Sequence, residues 1–135
     1  MTTTYLGIDY GDKRLGIATG QTLTRTATPL TQLTNDEKIF ENLTIIIQKW
    51  KPDGLVVGRP LHMDSTPSRQ SKKAKKFAKA LEMYFKLPVH IIDERLSTRE
   101  ARSRLNESSR QVKKDELNAV AAQIILETFL SEYEA

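Results

Sequence analysis

The stretch Gly7-Ile8-Asp9-Tyr10-Gly11-Asp12-Lys13-Arg14-Leu15-Gly16-Ile17-Ala18 decides how the chain folds. Two β-segments, Tyr5–Tyr10 and Leu15–Thr19, flank the short turn Gly11–Arg14, and a carboxylate, Asp9, interrupts the first of them. A carboxylate buried in an apolar strand is costly unless it is paired or bound to a metal, so Asp9 requires a partner. Gly7 and Gly11 on either side leave room for a ligand to approach the backbone. The plainer reading makes Asp9 a strand-end residue that caps the turn.

Working outward, a threonine-rich third strand, Arg25–Leu30, completes an antiparallel meander. Thr34-Asn35-Asp36-Glu37 has capping-box spacing, and Ile39, Phe40, Leu43, Ile46 and Ile47 recur at helical intervals up to Trp50. Lys51–Gly54 stops that helix, and Leu55–Gly58 reads as a buried parallel strand. A loop through Pro60 and Pro67 leads to a second amphipathic helix with Ala74, Phe77, Ala78, Leu81 and Phe85 inward, ended by Pro88. Val89–Asp93 is the fifth strand, and the Ser97–Glu100 spacing predicts a short helix through Leu105. Asn106–Lys114 reads as a polar, basic loop. The last helix runs from Asp115 to Tyr133 with Leu117, Val120, Ala121, Ile124 and Phe129 inward. Right-handed parallel crossovers in the second half then give an α/β fold. It is a mixed five-stranded sheet, a three-strand meander followed by two parallel strands, with helices on both faces, as in ribonuclease H-like proteins. The first strand is central and the fourth lies beside it.

The 135 residues, 39% hydrophobic and 28% charged, suit one folded domain over 1–135 and not a disordered chain. Apolar runs such as Leu55–Val57 and Ile124–Leu126 fall far short of the roughly 20 residues of a membrane span. The N-terminal Met1–Thr4 lacks the blocks of a signal peptide, so a cytoplasmic location is expected. The absence of cysteine excludes disulfides, thiolate metal sites and cysteine nucleophiles. A net charge of +4 permits a polyanionic partner without requiring one.

The segments GIDYGDKRLGIA (Gly7–Ala18), VVGRPLHMD (Val56–Asp64), DERLSTREA (Asp93–Ala101) and AVAAQIILE (Ala119–Glu127) resemble the successive motifs of the YqgF family. They stand in the family's order and span nearly the whole chain. The resemblance implies kinship to RuvC-type junction resolvases and phosphodiester cleavage with Mg²⁺ or Mn²⁺. It also implies a role in maturing the small-subunit ribosomal RNA precursor, with a four-way DNA junction as the alternative substrate. It makes Asp9 the first catalytic metal ligand and Glu94 the second. Asp93 and Glu94 point to opposite faces of an extended segment, so only one of them reaches the site. If the fifth strand is two strands from the first, Glu94 starts about 10 Å away. Otherwise it pairs with Arg95 or Arg99 at the surface.

The third acid departs from the family pattern: Asn118 stands where an aspartate usually begins the terminal helix. An amide oxygen ligates a hard cation but brings no charge. Asp115, three residues earlier on the same helical face, is either its substitute or only the helix N-cap. Lys13 and Arg14, just past Asp9, are expected to meet the scissile strand. Arg59 and His62 belong to the adjacent loop, with Asp64 a reserve ligand, and Arg110, Lys113 and Lys114 form a basic cluster before the last helix. Lys72, Lys75, Lys76 and Lys79 share one face of the second helix, either as solvated surface or as a phosphate contact. Aromatic residues do not interleave with these charges in sequence, so no base-stacking platform is expected. The partner is therefore nucleic acid, an RNA precursor or branched DNA, met by a monomer or weak homodimer.

Two other functions compete. The first motif also resembles the phosphate loop of actin-like ATPases and sugar kinases, but those clasp nucleotide between two domains. A nucleic-acid-binding protein without catalysis would need the basic surface alone.

Overall fold

In a computed structural model, described over residues 3–60, 69–94 and 114–133, the first three strands form the expected antiparallel meander. At 59, 60, 69, 70, 93, 94 and 114–117 only the backbone is described. The strands are β1 (Thr4–Asp9), β2 (Arg14–Gln21) and β3 (Thr26–Thr34), followed by helix α1 (Ile39–Trp50), β4 (Gly54–Pro60), helix α2 (Arg69–Phe85), β5 (Val89–Glu94) and helix α3 (Lys114–Ser131). The sheet order is β3-β2-β1-β4-β5, with β4 parallel to both β1 and β5. This is the ribonuclease H-like arrangement, with β1 central and β4 beside it. No helix among the described residues is long and apolar enough to cross a membrane.

Strand alternation sorts the core into two layers. Leu6, Ile8, Leu15, Ile17, Leu55 and Val57 meet Ile39 and Leu43 of α1 and Ala74, Ala78 and Leu81 of α2 on one face. Tyr5, Ala18, Ala27 and Val56 meet Ala122, Ile125, Leu126 and Leu130 of α3 on the other. Below α3, burial and the neighbouring Tyr133 push the Tyr5 phenol above its ordinary pKa.

Several boundaries and faces differ from the sequence expectation. The Thr34–Glu37 capping box does not form, because Thr34 still belongs to β3 and α1 is capped at Lys38 without a side-chain bond. Asp36 instead accepts the Lys38 N–H at 3.0 Å. Strand β3 runs four residues beyond the expected Leu30, past a bulge opposite Ile17 and Ala18 that accommodates Pro29 on an edge strand. Lys114, assigned to a loop, opens α3. Val120, Ala121 and Ile124 are buried, yet the sheet-facing stripe is Ala122, Ile125, Leu126 and Leu130, with Phe129 packed against it. A helix apolar around most of its circumference does not announce which face meets the sheet. The short helix expected from Ser97 to Leu105, and residues 106–113, lie outside the described residues.

Arg25 adopts a left-handed conformation (φ 56°) in the turn before β3 and donates from Nη1 to the carbonyls of Leu130 and Ser131, at 3.0 and 3.2 Å. It thereby adds a donor to two carbonyls at the C-terminal end of α3, where Leu130 also accepts the Tyr133 N–H, and places a cation at the negative end of the helix dipole.

Candidate functional site

The parallel strands β1, β4 and β5 all end at one edge of the sheet, with Asp9, Pro60 and Glu94 as their last residues. Open α/β sheets bind ligands outside such carboxyl ends. Asp9 is half-buried and pairs with Gly16 on β2 and Gly58 on β4. One row across the sheet therefore reads Gln32, Gly16, Asp9, Gly58, Ile92. Neither neighbouring strand places a side chain in that row beside Asp9, but the space over Gly16 is taken by the start of α3. Asp9 also has the alternation phase of Tyr5 and Gly7, which places it on the α3 side of the sheet.

Helix α3 is seated on this region through glycines. A Cβ on Gly16 would lie 1.9 Å from the Asn118 carbonyl oxygen, one on Gly7 2.8 Å from Leu126 Cβ, and one on Gly20 2.9 Å from Leu130 Cδ1. Gly7 thus serves close helix packing and leaves no room for a ligand, and Gly11 admits the Arg14 carbonyl in the turn at 2.6 Å from a notional Cβ. The expectation that these two glycines open the backbone to a ligand is overturned by what fills them.

Asn118 sits over Gly16, next to Asp9 in the row, and its Nδ2 donates to Oε1 of Gln32 at 2.9 Å. Gln32 lies on the far side of Gly16 from Asp9, so the amide nitrogen is turned away from β1 and the oxygen is the half left to accept or ligate. Asp115 is one turn earlier in α3, at a position described by its backbone alone.

Glu94 is likewise described by its backbone. It pairs with Pro60, two residues beyond Ile92 of the Asp9 row, and has the alternation phase of His90 and Ile92, whereas Asp93 has the opposite one. Strand spacing and rise put its backbone roughly 12 Å from that of Asp9. Among the described residues no three histidine, cysteine, aspartate or glutamate side chains converge as a metal cluster.

Lys13 and Arg14 are exposed in the turn and at the start of β2. Arg59 is the penultimate residue of β4, and Lys114 the first of α3. His62, Asp64, Arg110 and Lys113 lie outside the described residues.

Three features of the site are absent from the sequence reading. Gln32 engages Asn118 from the edge strand. Asn35, read as part of a capping box, instead clamps the turn beyond Asp9: its Nδ2 donates to the Gly11 carbonyl and its backbone N–H to that of Lys13, both at 2.8 Å. Lys73 of α2 pairs with Asp12 at 2.9 Å, and since both side chains are nearly half exposed the pair contributes little stability. Only Asn35, with the local hydrogen-bonding habit of its residue type, carried a signal for its role.

A family model described as RuvX, Holliday junction resolvase, matches residues 3–132. The chain is 45% identical over 134 residues to a Legionella pneumophila (strain Lens) protein described as "Putative pre-16S rRNA nuclease", with 96% of each chain covered. It is 46% identical over 129 residues to a protein of the same description from Paraburkholderia phymatum, covering 94% of this chain and 84% of that one. Among solved structures, RuvC of T. thermophilus in complex with a Holliday junction substrate superimposes with a TM-score of 0.57 at 14% identity, covering 95% of this chain and 93% of that one.

Proposed function

We infer the activity from one premise: this chain belongs to the RuvX Holliday junction resolvase family. It is a nuclease that hydrolyses phosphodiester bonds with a divalent cation, Mg²⁺ or Mn²⁺, in cytoplasmic maturation of the 5′ end of pre-16S ribosomal RNA. The observation that carries this reading is Asp9 at the carboxyl end of the central strand, between Gly16 and Gly58, with the start of α3 packed over Gly16.

The donor set suits such an ion. Asp9, Glu94 and the Asn118 amide oxygen are hard oxygen ligands of the kind Mg²⁺ and Mn²⁺ prefer. A bound divalent ion supplies charge stabilisation at the phosphate and a more acidic water. Asp9 would hold the ion; Gln32 fixes the orientation of the Asn118 amide, and Asn35 fixes the turn from which Lys13 and Arg14 would reach the scissile strand.

The test offers purified protein a pre-16S precursor and a four-way DNA junction, each with Mg²⁺, Mn²⁺ or chelator, with the Asp9→Asn protein as control for contaminating nucleases. Metal-dependent cleavage of the precursor is expected. Cleavage of the junction alone would favour the second reading, which the family description supports. Binding of both without cleavage would make the chain a nucleic-acid-binding protein.

Asn118→Asp is expected to tighten divalent-cation binding roughly tenfold and to raise cleavage, because ligand charge governs affinity at hard-cation sites. Gln32 can rotate its amide to donate to the new carboxylate, so the fold is retained. If Asp115 already supplies the third charge, Asp115→Asn is the damaging change instead. Calorimetric metal titration of both variants decides, and no response to either would remove the start of α3 from the metal site.

Neutralising Arg110, Lys113 and Lys114 to glutamine is expected to weaken nucleic-acid binding of every sequence. The salt slope should fall by about 0.7 for each phosphate of a single strand that is no longer neutralised. A slope equal to wild type assigns these residues to solvent.

A further inference from the structure

Beyond the turn that follows Asp9, the structure assembles an aromatic and basic groove from three elements. Tyr10, the residue after Asp9, packs its ring 5.2 Å from that of Phe77 on α2; Phe40 of α1 lies 5.8 Å from Phe77 and 5.0 Å from Tyr84. With Lys73, Lys76 and Ala80, three of these rings line a groove of about 380 Å³. Lys76 also borders a second groove of about 290 Å³ with Lys72, Lys75 and Lys79. All five lysines are exposed, and α2 carries no acid before Glu82. The interleaving of aromatic and basic groups that the sequence does not display is produced by the fold.

We propose that this groove is the track of a single-stranded segment of nucleic acid leading away from Asp9, its bases stacked on Tyr10, Phe77, Phe40 and Tyr84 and its phosphates held by the α2 lysines. The occupant follows from chemistry. The lysine face complements a polyanion, and the partly exposed rings of Tyr10, Phe40 and Phe77 with the exposed Tyr84 offer faces to unstacked bases, which a duplex keeps inside its own stack. From Lys73 to Tyr84 the helix advances roughly 16 Å, the length of about five stacked nucleotides. The groove opens on the α1–α2 side of the sheet and Asp9 faces α3, so the strand crosses the sheet edge at Tyr10. This inference deepens the nuclease reading and rests on it for the direction of the strand, but its test does not need cleavage.

Fluorescence anisotropy in chelator, with the Asp9→Asn protein as background, measures binding of a short labelled oligouridylate, the matching oligodeoxythymidylate and a duplex RNA of equal length. Phe40→Leu with Phe77→Leu keeps apolar volume in the core and removes two ring faces. It is expected to weaken single-strand binding by about tenfold or more and to leave the duplex nearly unchanged. Lys72→Gln, Lys76→Gln and Lys79→Gln together should lower the single-strand salt slope by about 2. Tyr84→Leu, at a side chain 57% exposed, tests the same surface without touching the core should the double variant melt early. Single-strand affinities and slopes equal to wild type in all three proteins would overturn the track and leave the groove to a protein partner. Equal losses on single strand and duplex would overturn stacking. A protein that cuts its substrate while these variants bind normally keeps the nuclease reading and loses the track; one that binds strands through these residues and cuts nothing does the reverse.

Discussion

The Asp9→Asn protein is expected to lose about 10³-fold or more of its cleavage rate while its melting temperature stays within a few degrees of wild type. The loss would follow from removing the carboxylate proposed to anchor a divalent ion, whose charge stabilisation would be worth several kcal/mol, each 1.36 kcal/mol being a factor of ten in rate. The fold is spared because Asn is isosteric with Asp and the residue is half-buried at the end of β1, between Gly16 and Gly58. Single-turnover cleavage, thermal melting and strand binding in chelator together make the test. Wild-type turnover in the variant would remove Asp9 from the mechanism; lost turnover with a collapsed melting temperature would reassign it to structure.

Gly16→Ala is expected to be the most damaging single methyl group near the site. The added carbon would start 1.9 Å from the Asn118 carbonyl, which is backbone and has no rotamer by which to yield. Strand or helix must move, and overpacking of that kind costs about 3 kcal/mol or more. For a domain of this size the loss corresponds to roughly 10 °C in melting temperature. Cleavage should fall too, since the end of α3 displaced is the end beside Asp9. Calorimetric melting measures the first effect, and a shift under about 2 °C would mean that α3 does not rest on β2 at this point.

The contrast between these two residues shows what a sequence carries and what it withholds. Asp9 stood out as a candidate because a carboxylate in an apolar strand is a local anomaly, visible within five residues, and its place at the end of β1 was legible with it. The β1–β2 hairpin, the apolar run of β4 and the period of α1 were legible for the same reason. The purpose of Gly7 and Gly16 was not, because the groups that fill their missing side chains, Leu126 and Asn118, come from the other end of the chain. The sheet-facing side of α3 stayed hidden because Ala119–Ala122 and Ile124–Leu126 are buried around most of the helix. Strand β3 was underestimated because Pro29 and its bulge interrupt the alternation on which strand recognition depends. Tyr10, Phe40 and Phe77 are each an ordinary half-buried aromatic in sequence, and only the meeting of β1, α1 and α2 sets them beside Lys73 and Lys76.

The long reach of α3 also sets a timetable. Its polar ties to the meander, from Asn118 to Gln32, from Gln123 to the Ala27 carbonyl and from Arg25 to Leu130, close loops of 86, 96 and 105 positions. Contacts of such separation form slowly, because the entropy of closing the chain is lost before they are rewarded. The hairpin that holds Asp9 is local and forms early; the helix that completes its surroundings docks late. In refolding from denaturant, strand signals should therefore appear first, and cleavage should return only with the slow phase in which α3 settles onto its glycines, so that a half-folded chain holds an acid at the sheet edge without being able to cut.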